Sequence, residues 1–200
     1  MHDWDPWNLP LRTDESCRQA VGYIQAGGTL AEQKCQSMTQ GINGESILTH
    51  LPSFSQTQSC PHDAMHLIWE NLVPRMVELW THTGRFKTLD PGTETYEIDP
   101  LAWEQIGEES AIANATIPSI FCRALPNIAK ERHLFTAEAW AFWIVYIAPY
   151  SLRGRLADKY YNHLMLFVDI IKLCLQFVIT NEEILALQEM IIRWVEHYEQ

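Results

Sequence analysis

The chain has 200 residues, 47% of them hydrophobic, enough for one domain with a buried core or one domain with a loosely attached arm. A formal net charge of −11 excludes broad contact with a phosphate backbone, which needs clustered Lys and Arg, and leaves only local basic patches to touch nucleic acid. Five scattered cysteines with no Cys-x-x-Cys pair point to reduced thiols in an intracellular compartment, and the N-terminus has neither the basic nor the apolar region of a signal peptide.

Residues 1–12 set Trp4 and Trp7 among prolines without any period and are expected to form a loosely packed arm. Thr13 is placed to N-cap a first helix to Gln25, Gly27-Gly28 breaks it, and Thr29-Leu-Ala-Glu32 carries the capping-box pattern of a second. Gly41 to Gly44 ends that helix, and Ile47 to Gln58 reads as an extended connector. The stretch from Cys60 to Trp80 then organises the chain. Its Leu67, Ile68, Leu72, Met76, Val77, Leu79 and Trp80 recur at three- and four-residue steps, the pattern of a core-facing helix, while Glu70 and Glu78 fall on the solvated side.

After a polar loop, Thr81 to Glu97, with His82, Arg85 and Lys87, the pair Asp99-Pro100 supplies an N-cap and a first helical position for a helix to Ala113. Asn114-Ala-Thr116 matches a glycosylation sequon, unused in an intracellular chain. Thr116 to Phe135, with Pro118 and Pro126, reads as a long ordered loop. Thr136 caps the Trp-rich helix Ala137 to Tyr150, apolar nearly all round and so the expected centre of the core, which Pro149 ends or kinks. Arg153-Gly-Arg155 makes a turn, and Asp158 opens a helix to Val178. Thr180-Asn-Glu-Glu183 is a capping box for the last helix, whose Ile184, Leu187, Ile191, Trp194 and Tyr198 alternate at four and three. The apolar windows 139–152 and 164–179 are too short, or carry Asp169 and Lys172, so no membrane span is expected. These elements predict an all-α fold. About five major helices make a helical domain over residues 63–200, preceded by an arm and connector with two short helices over 1–62.

Cys60, His62, Asp63 and His66 form the one dense cluster of candidate site residues. Asp63 and His66 are three apart and share one helical face. Sulfur, imidazole and carboxylate all ligate zinc, which gives one reading as a small metal-dependent hydrolase. Against it stand the lack of a second Cys/His cluster and the crowding of the four side chains, so the expectation is that Asp63 caps the helix with His66 hydrogen-bonded nearby and that no metal is held. Glu138, in the first turn of its helix, is best explained by the helix dipole. Arg123, Lys130, Arg132, Arg153 and Arg155 are the candidate DNA contacts. The tryptophans at 69, 80, 103, 140, 143 and 194 lie at core spacing and read as packing residues, not as platforms for bases. A reading of a different class is a helical interaction module in which residues 180–199 or the aromatic arm mediate self-association or partner binding.

Several blocks together carry a family resemblance: Asp-Ala-Met-His-Leu-Ile-Trp-Glu-Asn-Leu-Val-Pro at 63–74, Leu-Pro-Asn-Ile-Ala-Lys at 125–130, Thr-Ala-Glu-Ala-Trp-Ala-Phe-Trp at 136–143, Ile-Ala-Pro at 147–149, Tyr-Tyr-Asn-His-Leu at 160–164 and Trp-Val-x-x-Tyr-Glu at 194–199. From about Leu48 onward the chain resembles the CACTA (En/Spm-like) DNA transposases of fungi around their Asp-x-x-His motif. The resemblance implies a nuclear transposase whose ribonuclease-H-like core uses acidic residues and two divalent metals, Mg or Mn, to cleave and join DNA. Asp63 and His66 would be the motif pair, and residues from about 67 to 200 the helical insertion. The chain departs from that pattern. No strand pattern or family acidic position is recognisable upstream of Asp63, and the segment that supplies the last carboxylate is not present downstream. The expectation is a transposase-derived fragment without its own cutting centre, needing no cofactor alone and touching DNA through basic loops only within a full transposase.

Overall fold

A computed structural model describes residues 5–60, 62–88 and 91–199, so Trp4 lies outside the described residues. The fold is all-α, with no strand among those residues. The chain divides into two compact units, Met1–His62 and Asp63–Gln200.

In the first unit, α1 (Asp14–Gln25) begins with a reciprocal capping box between Thr13 and Ser16, and α2 (Leu30–Gln40) with one between Thr29 and Glu32. Gly41 closes α2 in the left-handed region at φ 64°, where a side chain would be strained. The Arg12 guanidinium donates to the carbonyls of Gln40 (2.8 Å) and Gly41 (3.3 Å), satisfying acceptors that a helix end leaves open. Residues 47–58 are not the expected extended connector. A 3₁₀ turn at Ile47–His50 leads into further turns, and Asp14 Oδ1 accepts from Ser55 Oγ, Thr57 N and Thr57 Oγ1, each at 3.2 Å. Short hydroxyl side chains offer the backbone such local partners, which favours turns over an extended path.

In the second unit the organising helix opens as a π-helical segment, Met65–Leu72, and continues as α3 (Val73–Trp80). A second π-helical segment, Trp143–Ile147, joins α5 (Ala137–Phe142) to α6 (Ala148–Ser151). Each ends with an i→i−5 bond, Val73 N to Ile68 O and Ala148 N to Trp143 O, and each runs into a proline, Pro74 or Pro149. Proline lacks an N–H and its ring collides with the carbonyl four residues back; a widened turn moves that carbonyl away, so the helix passes the proline without breaking. The change of period also corrects the expected stripe. Met76, Val77 and Trp80 are buried and Ile68 and Leu72 pack on the core, but Leu67 is 56% exposed.

Between these helices, α4 (Pro100–Ala113) starts where expected, with Asp99 Oδ1 accepting from Leu101 N and Ala102 N. The 116–135 stretch is an ordered loop, tied to the end of α4 by Asn114 and folded on itself around Asn127. The Asn114 amide pairs both ways with the Leu125 backbone (2.7 and 2.8 Å), and Asn127 Oδ1 accepts from Ala129 N and Lys130 N. Glu78 is not solvated as expected: its side chain is 15% exposed, paired with Arg75, and packs against Gly84.

The last two helices are α7 (Asp158–Cys174) and α8 (Asn181–Glu199). α7 stops short of Val178, leaving Leu175, Phe177 and Val178 exposed, because the residues up to Thr180 are spent turning the chain so that α8 returns along α7. Thr180 and Glu183 cap α8 reciprocally. One core joins the unit, with Val77, Trp103, Ile106, Ile128, Trp143 and Leu164 among its buried members.

The loop seat yields a stability prediction. A Cβ at Gly107 of α4 would stand 2.3 Å from Asn127 Oδ1 and 2.7 Å from Ala129 Cβ. Gly107→Ala should therefore cost roughly 1–3 kcal/mol by overpacking, lowering the Tm followed by helical circular dichroism by several degrees. An unchanged Tm would mean that the 125–130 loop is not held against α4.

Candidate functional site

The Asp63–His66 pair stands at the head of the organising helix. Asp63 Oδ1 accepts from Met65 N (2.8 Å), closing the first turn, and its Oδ2 lies 2.5 Å from His66 Nδ1. Asp63 thus both caps the helix and orients the imidazole. The other ring nitrogen, Nε2, faces Glu70 Oε2 at 3.8 Å, one turn further on. That is beyond hydrogen-bond reach but close enough for charge attraction, so Glu70 is not merely solvated as expected. The hydrogen bond from His66, with Met65 N–H adding to it, holds the Asp63 carboxyl below its usual range. The Asp63 hydrogen bond and charge, with Glu70 contributing less, raise the His66 imidazole. All three side chains are about half exposed.

Chemically, a carboxylate on Nδ1 fixes the tautomer and makes Nε2 the proton-exchanging atom. Among the described residues no hydroxyl or thiol is bonded to Nε2, so the pair can hold and pass a proton but brings no nucleophile of its own. Nor, among those residues, do three His, Cys, Asp or Glu side chains come together to hold a metal ion. A two-metal centre needs several carboxylates converging from separate elements, and the residues around Asp63 do not fit that requirement. Cys60 and His62 fall in the first unit, where they line a groove of about 650 Å³ with Leu9, Leu11 and Arg12.

The candidate DNA-contacting cations are only partly gathered. Lys130 and Arg132 line one groove of about 490 Å³ with His133. Lys130 is paired with Glu108 at 3.2 Å, and the Arg132 guanidinium donates twice to Thr83 Oγ1. Arg155 forms a two-bond fork with Glu109, both at 2.6 Å. Arg123 and Arg153 are exposed and, among the described residues, carry no ion pair. The five free cysteines include Cys122 and Cys174, whose thiols burial pushes up and away from the nucleophilic thiolate. No helix among the described residues is long and apolar enough to cross a membrane.

Two features of the site region escaped the sequence. Glu70 was detectable from its i+4 spacing to His66. The other is a second cavity, of about 420 Å³, walled by aromatic side chains from α3, α7, α8 and the loop around Tyr96. The i, i+3 spacing of Tyr160 and His163 was a partial signal for it, but the partners from other elements left none. No protein-family model, curated protein or solved structure matches this chain.

The sign of the pair's pH response follows from the two shifts. The His66 contribution to stability is complete below its unfolded-state pKa and is lost as pH rises through the raised folded value. That of Asp63 is present above its unfolded-state pKa and is lost as pH falls through the depressed folded value. The pair is fully charged between the two folded values. An NMR titration should place the His66 midpoint above that of a free histidine, and Asp63→Asn should bring it down; equal midpoints in both proteins would dissolve the pair.

Proposed function

We propose that the helical unit derives from the region of a CACTA-like DNA transposase around its Asp-x-x-His motif, and that this chain does not cut DNA by itself. The parent activity is metal-dependent DNA cleavage and strand transfer. One observation carries the reading. The blocks that bear the resemblance meet in the fold: Val73, Ile128, Trp143, Ala148, Leu164 and Trp194, one from each block, enter a single hydrophobic core, while Asp63 and His66 remain paired at the surface. The same blocks thus specify a packed body and present the motif pair on it. On this reading the divalent metal belongs to carboxylates elsewhere in a complete enzyme, DNA contact runs through the Lys130–Arg132 groove together with Arg123 and Arg153, and the location is nuclear.

The test is nicking of supercoiled plasmid with Mg²⁺ or Mn²⁺, run beside Asp63→Ala and His66→Ala. No nicking above the buffer control is expected from any of the three proteins. Cleavage by the wild type that both substitutions abolish would overturn the proposal, since the chain would then assemble a cutting centre.

A second reading, self-association through residues 180–199, is favoured by the way α8 packs. It buries Ile192 and Trp194 but leaves Ile184, Leu185 and Ile191 exposed. Of the expected seam, only Trp194 and half-buried Leu187 face the core. Exposed apolar side chains flanking the packed face of a helix suit a second helix. Light scattering should show a mass that rises with concentration and stays monomeric in Ile184→Glu/Ile191→Glu; a wild type that is monomeric throughout removes this reading.

A further inference from the structure

The 420 Å³ cavity of the helical unit has a composition that specifies a ligand charge. Its walls include Trp80 from α3, Tyr96 from the loop between α3 and α4, Tyr160 from α7 and Tyr198 from α8, and Glu94, His163 and His197 stand among the lining residues. None of the described residues lining it is Lys or Arg. Tyr96 and Tyr160 meet at 86° with centroids 5.8 Å apart, so they form adjoining walls and not a face-to-face stack that would close both π surfaces. Thr95 Oγ1 lies 3.1 Å from the Tyr160 hydroxyl and ties the loop to α7, which fixes the corner before any ligand arrives. The volume lies within the ~300–1,000 Å³ typical of small-molecule pockets.

The ring faces and Glu94 favour positive charge, His163 and His197 being, with the tyrosines, the other titratable groups of the lining. Ring faces are electron-rich and attract cations. Tyr160 already engages one: Lys159 Nζ, outside the cavity lining, is 5.6 Å from the ring centroid. Glu94 makes no side-chain hydrogen bond or ion pair among the described residues, so its carboxylate remains available to a positive charge. His163 does not oppose it. Burial pushes its pKa down, the Trp194 carbonyl acting the other way and the His197 charge adding to the fall, so at neutral pH the ring is uncharged and donates Nε2–H to that carbonyl at 2.8 Å. An anion would meet ring faces and a carboxylate, and a primary ammonium would find few acceptors to replace its water. An alkylated ammonium, weakly hydrated and broad, suits these walls best.

We infer that this cavity binds an alkylated ammonium ion, carried either by a small quaternary amine or by a methylated lysine side chain. The inference stands independently of the transposase reading. Isothermal titration of the full chain with choline, and with a short peptide carrying trimethyl-lysine, should show binding to at least one of them. 3,3-Dimethylbutanol, the uncharged isostere of choline, and the unmethylated peptide should bind at least tenfold more weakly than their charged or methylated counterparts. Glu94→Gln, an exposed loop change, and Tyr160→Leu should each weaken the preferred ligand severalfold, with the helical spectrum recorded to verify folding. A stronger peptide than choline assigns the cation to a protein side chain, and equal or stronger choline assigns it to a free amine; both uphold the site. An isostere that binds as well as choline, or no binding of either cation at millimolar concentration, overturns it.

Discussion

The helical unit depends on the burial of Trp143. This indole is fully enclosed, with Trp103 and Trp140 set edge-on against it at centroid distances of 6.1 and 6.5 Å. Its N–H has to find an acceptor where water cannot reach, and it finds Ser110 Oγ on α4 at 3.3 Å; that hydroxyl in turn donates to the Ile106 carbonyl. One side chain thereby fixes both the distance and the rotation between α4 and the α5–α6 segment. The remaining helices close around the tryptophan cluster. That Trp143 lies in a π-helical segment follows from the same need, because the chain must pass Pro149 without breaking while keeping this indole inward.

How much of this was legible depended on how local each cause is. Thr13, Thr29, Asp99, Thr136 and Thr180 announce their helices because a cap is decided within four residues. The core tryptophans were legible from helical spacing. The π-helical turns were not: they arise from a proline further along the chain acting on a helix that tertiary packing holds together, and they rotate Leu67 out of a stripe that a constant period would have kept. The end of α7 at Cys174 was hidden for a related reason, since Leu175 to Val178 continue an apolar pattern that the folded chain spends on a turn. At the site, Asp63 and His66 were visible as neighbours in sequence, whereas the aromatic cavity draws its residues from four elements far apart in the chain and so has no sequence motif.

Charge is distributed in a way that the total conceals. Of the 14 Lys and Arg against 25 Asp and Glu, several are consumed inside the helical unit: Arg155 by Glu109, Lys130 by Glu108, Arg75 by Glu78. The fork to Arg155 holds the Glu109 carboxyl below its ordinary range. The first two pairs act as braces between elements, joining α4 to the turn after α6 and to the 125–131 loop, while Arg75–Glu78 lies within α3. Carboxylates without such partners, Glu94 among them, set the sign of the surface potential, which attracts cations and disfavours extended polyanions.

The seat of the loop on α4 bears on what the chain can carry. Both polar atoms of the Asn114 side chain are committed to the Leu125 backbone, and Asn114 is the acceptor position of the Asn-Ala-Thr sequon. An oligosaccharide attached there would replace one of the two Nδ2 hydrogens and set a bulky sugar beside the loop. The Asn114 side chain thus serves the fold as a pin between α4 and the Leu125 backbone, a role that a glycan there would crowd.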